Sequence, residues 1–172
     1  TMGLSESSKH KATLIKSPDL PQILQKSMIP NILDQRSLRD AFELRLVLEV
    51  GMADLVVRRI TDQDLHELAE IVRSESSPSP DTLFDIDYEV KFHGKLYEIT
   101  GNETLKGFQQ LLLPVFKYVY SSGLINKPVA KKKYVSHRGL VEILAERDVS
   151  KFRKAMRKHL ENHFNRLFDQ LP

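Results

Sequence analysis

From Leu38 almost to the end of the chain, apolar residues recur every three or four positions, and nowhere do they alternate convincingly. Three-and-four spacing gathers apolar side chains on one side of a helix, whereas a half-buried strand needs a period of two. Between Leu38 and Ile60 such a face is marked by Phe42, Leu46, Glu49, Ala53, Val56 and Val57. With no strand pattern to supply a sheet, such stripes have to be buried against other helices. The expected fold is therefore all-α, an antiparallel bundle of six or seven helices. The 172 residues suffice for one well-buried core.

Local signals divide the pattern. Ser17-Pro18-Asp19 opens a short helical stretch that Pro30 interrupts. Thr61-Asp62-Gln63-Asp64 places an acid three residues after a cap, so a helix starts there. Ser74 to Pro80 reads as a mobile loop, rich in serine and proline. Asp81 is expected to cap a helix running to Thr100 and stopped by Gly101-Asn102. Further helices are expected from Glu103 to Ser122 with a kink at Pro114, from Val129 to Arg147, and from a Ser150 cap to about Gln170. Residues 1–18 are polar. Within them Lys9 to Lys16 reads as a tail or a single strand, with nothing later in the chain to pair with it.

Several function classes are excluded by composition. The chain has no cysteine, so it makes no disulfide and no thiolate metal site, which fits a reducing cytoplasm. Its first residues lack the basic-then-apolar order of a signal peptide, and no apolar run approaches the roughly 20 residues that span a bilayer. A net charge of +3 does not argue for direct nucleic-acid binding. No phosphate loop, nucleophile elbow or dinucleotide fingerprint is present, and no catalytic residue is assigned.

Six histidines remain: His10, His66, His93, His137, His159 and His163. Glu89 and His93 are four apart and project from one helix face, with Asp85 a turn earlier. His137 is expected near the middle of the next-to-last helix, and His159 and His163 are a turn apart on the last. A carboxylate and imidazoles from three helices can converge on a metal in a bundle core. Hydrogen-bonded packing of each histidine fits the same spacing. Arg45 falls close to the buried face, one turn from Glu49. It is either a snorkelling arginine paired with that glutamate or a guanidinium aimed into a cavity, where it would grip a carboxylate. Lys131-Lys132-Lys133 and Arg153-Lys154 with Arg157-Lys158 read as solvated helix faces. The stripe Leu111, Leu112, Val115, Phe116 and Val119 reads as core or as a dimer seam.

Three blocks together carry a resemblance. Leu38 to Glu49 contains an arginine within R-x-x-L-E; Phe92 to Leu105 follows F-H-x-x-L and then G-N-x-x-L; His137 to Leu144, with Asp148 and Ala155 to Leu160, follows a pattern ending A-M-x-x-H-L. From about Leu38 to Leu167 the chain resembles the FadR C-terminal (FCD) domain of GntR-type bacterial regulators. The resemblance implies a helical bundle with a central cavity that binds a small carboxylate effector with the help of a divalent metal, zinc, nickel or manganese. By position it makes His93, His137 and His159 ligands, with Glu89 as the fourth and Asp85 as the fallback. Glutamate stands where the family more often has aspartate, and its extra methylene moves the oxygen outward. Arg45 matches the arginine that faces the effector.

The resemblance also implies a homodimer whose operator-DNA contacts belong to an N-terminal winged helix-turn-helix. That part is expected to be absent here, with residues 1–36 a remnant of wing, linker and linker helix and residues 37–172 the effector-binding and dimerisation domain. Two rival readings are a helical metalloenzyme, with Glu89 or Asp85 as base beside a metal-activated water, and a plain helical interaction module with packed histidines and no metal.

Overall fold

The computed structural model describes residues 5–8, 11–15, 34–75, 86–122 and 135–168. Asp34 opens the helical part: the Ser37 amide donates to its carboxylate at 2.8 Å, and α1 follows at Gln35–Gly51. The helix expected from Leu38 to Ile60 is two helices, α1 and a shorter α2 at Ala53–Arg59. The joint falls where glycine, a weak helix former, meets Met52. Met52 itself keeps right-handed helical torsions, so the apolar rhythm passes through without losing phase. That continuity hides the break from sequence.

Thr61 caps α3 (Asp62–Ser74) in a reciprocal box with Asp64, as the spacing implied. Next come α4 (Ile86–Ile99) and α5 (Glu103–Ser121), separated by Gly101 at φ 58°, which ends α4 as expected. Pro114 lies inside α5 without ending it. The penultimate helix begins later than Val129. Ser136 is extended, its hydroxyl accepts from the Gly139 amide, and α6 runs His137–Ala145. The cap of α7 (Val149–Phe168) is Asp148 and not Ser150, because the Lys151 amide donates to Asp148 at 2.9 Å. Arg147 just before it takes a left-handed φ of 54°, turning the chain early enough for α7 to start ahead of Ser150.

Seven helices are thus present among the described residues, with one hairpin. The expected lone strand has a partner after all, and the partner precedes it: β1 (Ser5–Ser8) pairs antiparallel with β2 (Lys11–Ile15), Ser5 opposite Ile15 and Ser8 opposite Lys11. A polar Ser-Glu-Ser-Ser segment carries no alternation that would reveal it. The Pro30 helix, the Ser/Pro loop beyond Glu75, the Asp81 cap, Asp85 and Lys131–Lys133 lie outside the described residues.

Two apolar clusters fill the body. Phe92, Leu96, Leu68, Val56, Leu140, Leu144, Phe152 and Met156 join α2, α3, α4, α6 and α7. Leu38, Ala41, Phe42, Leu112, Val115, Phe116 and Val119 join α1 to α5, so the stripe on α5 is core within this chain. At about 25 cal/mol per Å² of apolar surface buried, these contacts supply most of the folding drive. Contacts of α1 with α7 and α5, of α4 with α5 and α3, and of α6 with α3 and α7 close the bundle. The polar residues of interest sit between the two clusters.

Candidate metal centre

Four helices deliver one group of side chains to that seam. Arg45 and Glu49 come from α1, Glu89 and His93 from α4, His137 from the first turn of α6 and His159 from α7. None is more than 4% exposed. One ligand atom each from Glu89, His93, His137 and His159 falls within 4.8 Å of all the others. The three imidazoles and the carboxylate singled out by sequence are therefore brought together. His66 is not among them: it is exposed on α3, 3.8 Å from Glu70. His10 and the side chain of His163 lie outside the described residues.

Each ring is anchored on its outer nitrogen. His159 Nδ1 donates to the Val135 carbonyl at 2.8 Å, His137 Nδ1 meets Glu75 at 3.0 Å, and His93 Nδ1 meets Glu49 at 2.5 Å. A carbonyl only accepts, so neutral His159 carries its proton on Nδ1 and presents a lone pair at Nε2. The carboxylates likewise place a proton on Nδ1 of the other two rings. His93 Nε2 then faces His159 Nε2 at 3.2 Å and Glu89 at 3.4 Å. His137 Nε2 is buried 3.3 Å from Glu89 Oε1 without the alignment of a hydrogen bond. The lone pairs of His93 and His159, converging in a dry pocket, repel unless a proton or a cation lies between them. An outer acceptor on each Nδ1 with Nε2 turned inward is the arrangement that orients metal-ligating histidine. The residues fit a divalent metal.

Electrostatics agree. Burial pushes the Glu49 carboxyl up, but Arg45 and His93 outweigh it and hold the group at about 2, so it is ionised. Burial lowers the pKa of His93 and keeps that ring neutral, ready to ligate. Carboxylates outnumber the guanidinium around the group by three to one, counting Glu49, Glu75 and Glu89 against Arg45. Phe92 stacks on His137 with ring centroids 4.2 Å apart and so sets the plane of that ring.

Arg45 combines parts of both readings open to it. It pairs with Glu49 as a surface arginine would, Nε donating at 2.8 Å, yet it is buried and its second nitrogen donates to Glu89 at 3.2 Å. The guanidinium sits 4.8 Å from the centre of the Phe116 ring. Beside it lies a pocket of about 20 Å³, lined by Arg45, Glu49, Glu89 and His93 on its polar side and by Leu113 and Phe116 on its apolar side. That is room for about one water. A groove of about 290 Å³ between α3 and α6 is larger, but none of the candidate ligand residues lines it.

Two groups that anchor the rings went unmarked in the sequence, and one candidate ligand was expected elsewhere on its helix. Glu75 read as part of a mobile loop, and no pattern distinguishes it from the serines beside it. The Val135 carbonyl has no signature at all. His137 opens α6 instead of lying near its middle, because Ser136 is the cap. Glu49 was visible as the partner of Arg45, but its second bond to His93 spans 44 residues. Arg153, Lys154, Arg157 and Lys158 are exposed on α7, as a solvated face requires.

Known proteins place this geometry in a family. The FCD domain model matches residues 40–162, well over half of the chain. The chain is similar to the HTH-type transcriptional regulator LutR of Bacillus subtilis (strain 168), at 25% identity over 166 residues, which is 94% of this chain and 76% of that protein. It is also similar to the Uxu operon regulator of Haemophilus influenzae, at 25% identity over 138 residues, spanning 76% of this chain and about half (51%) of that relative. Among solved structures, Streptococcus agalactiae GntR superposes with a TM-score of 0.60 at 24% identity, over 95% of this chain and 75% of that one, a likeness of fold. On the strength of the family match and the helical architecture that agrees with it, this chain belongs to the FCD domain family.

Proposed function

We propose that residues 37–172 are the effector-sensing and dimerising domain of a GntR-type transcription regulator, with residues 1–36 belonging to its wing, linker and linker helix. Relatives named as transcriptional regulators support the regulatory half of this reading. One observation carries the sensing half: three imidazole Nε2 atoms and a carboxylate oxygen converge while every Nδ1 is held from outside. In this reading Glu89, His93, His137 and His159 hold one divalent ion, with zinc, nickel or manganese suited to such nitrogen and oxygen donors. When bound, the ion supplies positive charge and coordination positions for oxygen ligands. Arg45 offers a planar fork of N–H donors to a carboxylate, so the effector class is a small carboxylate metabolite.

The protein's own residues define the switch. Arg45 is occupied by Glu49 and Glu89, and the pocket beside it holds about one water. An effector must widen that pocket and compete with Glu89 for the guanidinium, so it selects a packing in which α1 and α4 stand slightly apart. Differential affinity for two packings is what shifts such an equilibrium, and about 1–3 kcal/mol is the usual scale of coupling. In a homodimer the shift respaces two DNA-reading heads. Operator contact belongs to an N-terminal winged helix-turn-helix and not to this domain, and the setting is the cytoplasm.

Elemental analysis of untagged protein tests the site, beside a His93→Ala/His137→Ala variant. About one equivalent of metal that disappears in the variant is expected. No metal in either protein would overturn the metal reading and leave Arg45 as the sole effector-binding group. Small carboxylates are then compared by thermal shift on wild type and Arg45→Met, with a shift in wild type alone as the expected result.

A further inference from the structure

Glu49 lies outside the four-residue ligand group, yet both of its oxygens are committed within the site. Oε1 accepts from Arg45 Nε at 2.8 Å, and Oε2 accepts from His93 Nδ1 at 2.5 Å. The side chain is 2% exposed, so water cannot replace either bond. Arg45 and Glu49 share a face of α1, whereas His93 comes from α4. A single carboxylate thus joins the cationic wall of the pocket to a ring of the ligand group.

We propose that Glu49 is the positioning residue for both halves of the site, fixing His93 with its Nε2 lone pair inward while holding Arg45 at the pocket wall. The consequence for metal rests on the reading above; the tautomer assignment rests on the two hydrogen bonds alone. The chemical reason is that a carboxylate accepts at both ends and so satisfies two donors at once. An amide of the same shape accepts at one end and donates at the other, so it cannot.

In Glu49→Gln the amide oxygen goes to the charged guanidinium, the stronger partner. Its NH₂ group then points at His93 Nδ1, which has to become an acceptor. The ring proton moves to Nε2, where it faces His159 Nε2 at 3.2 Å and Glu89 at 3.4 Å. The nitrogen meant for a metal would then carry a proton. Glu75 provides a contrast: it anchors His137 at 3.0 Å but does not line the Arg45 pocket.

The test uses the whole chain and two readouts. Long-range nitrogen–proton NMR of zinc-free protein reports the His93 tautomer, and competition with a chromophoric chelator reports zinc affinity. Wild type is expected to carry the His93 proton on Nδ1. Glu49→Gln should move it to Nε2 and weaken zinc binding by about 10- to 100-fold, the usual effect of losing an outer-shell partner. Adding Arg45→Met frees the amide oxygen for His93, so the double variant should regain the Nδ1 proton and most of the zinc affinity.

A wild-type ring protonated on Nε2 overturns the proposal, even if Glu49→Gln does not fold. So does a folded Glu49→Gln that keeps the wild-type tautomer and affinity, or a folded double variant with no recovery. Should wild type bind no zinc, the metal reading fails, and the spectra alone decide Glu49: a moved proton supports the assignment and an unmoved one overturns it.

Discussion

His137 is the ring most controlled by its neighbours. Burial works against a charged imidazole there, but the hydrogen bond to Glu75 and the adjacent Glu89 carboxylate outweigh it and raise the pKa to about 9. The folded value lies above the unfolded one. In metal-free protein the protonated ring therefore stabilises the fold fully below pH 6.5, and this contribution is lost as pH rises through about 9. Ligation at Nε2 has to displace that proton. Zinc binding at pH 7 should release about one proton from this ring, fading above pH 9, as read by calorimetry in buffers of different ionisation enthalpy. Release that does not change with pH would remove His137 from the ligand set. The residue type and position were readable in the sequence. The proton balance was not, because Glu75 reaches the ring across 62 residues.

At the scale of elements, the junctions carry separable contributions. The start of α3 is held twice, by the Thr61 box and by Lys95 of α4, which contacts Asp64 at 2.9 Å and Glu67 at 2.6 Å. Burial raises the Asp64 carboxyl, but bonds to Thr61 and Lys95 outweigh it and hold it at about 2, below the usual 3.8. Its contribution is present above pH 3.8 and lost as pH falls toward 2. Asp64→Asn should flatten that limb of the acid-unfolding curve while the rest of the profile keeps its shape. The turn from α4 to α5 depends on Gly101 at φ 58°, where an added methyl meets Arg59 only at an ordinary 3.6 Å. Gly101→Ala should therefore cost about 1–2 kcal/mol through left-handed strain alone, measurable by urea unfolding. These junctions were readable because caps and glycine stops are local in sequence. The Gly51–Met52 joint was not, since the helical phase runs straight through it, and neither was the Asp148 cap, which depends on the left-handed turn at Arg147.

For the molecule as a whole, one centre ties four helices together, and stability should follow its occupancy. Zinc at about 100 times its dissociation constant should add about 2.7 kcal/mol to unfolding, seen as a midpoint that rises with zinc and falls back with chelator. The His93→Ala/His137→Ala variant should show no such dependence. The sequence by itself determined the helical class, because a three-and-four stripe lines one face only on a helix, and it supplied the side chains of the candidate site, with Glu89 and His93 four residues apart on α4. Tertiary structure alone decided which acceptors turn the rings inward, that Arg45 is shared by Glu49 and Glu89, and that the pocket beside it is as small as one water. Apart from the Arg45–Glu49 pair, those facts depend on contacts between residues 24 to 62 positions apart, and no local periodicity encodes such a contact.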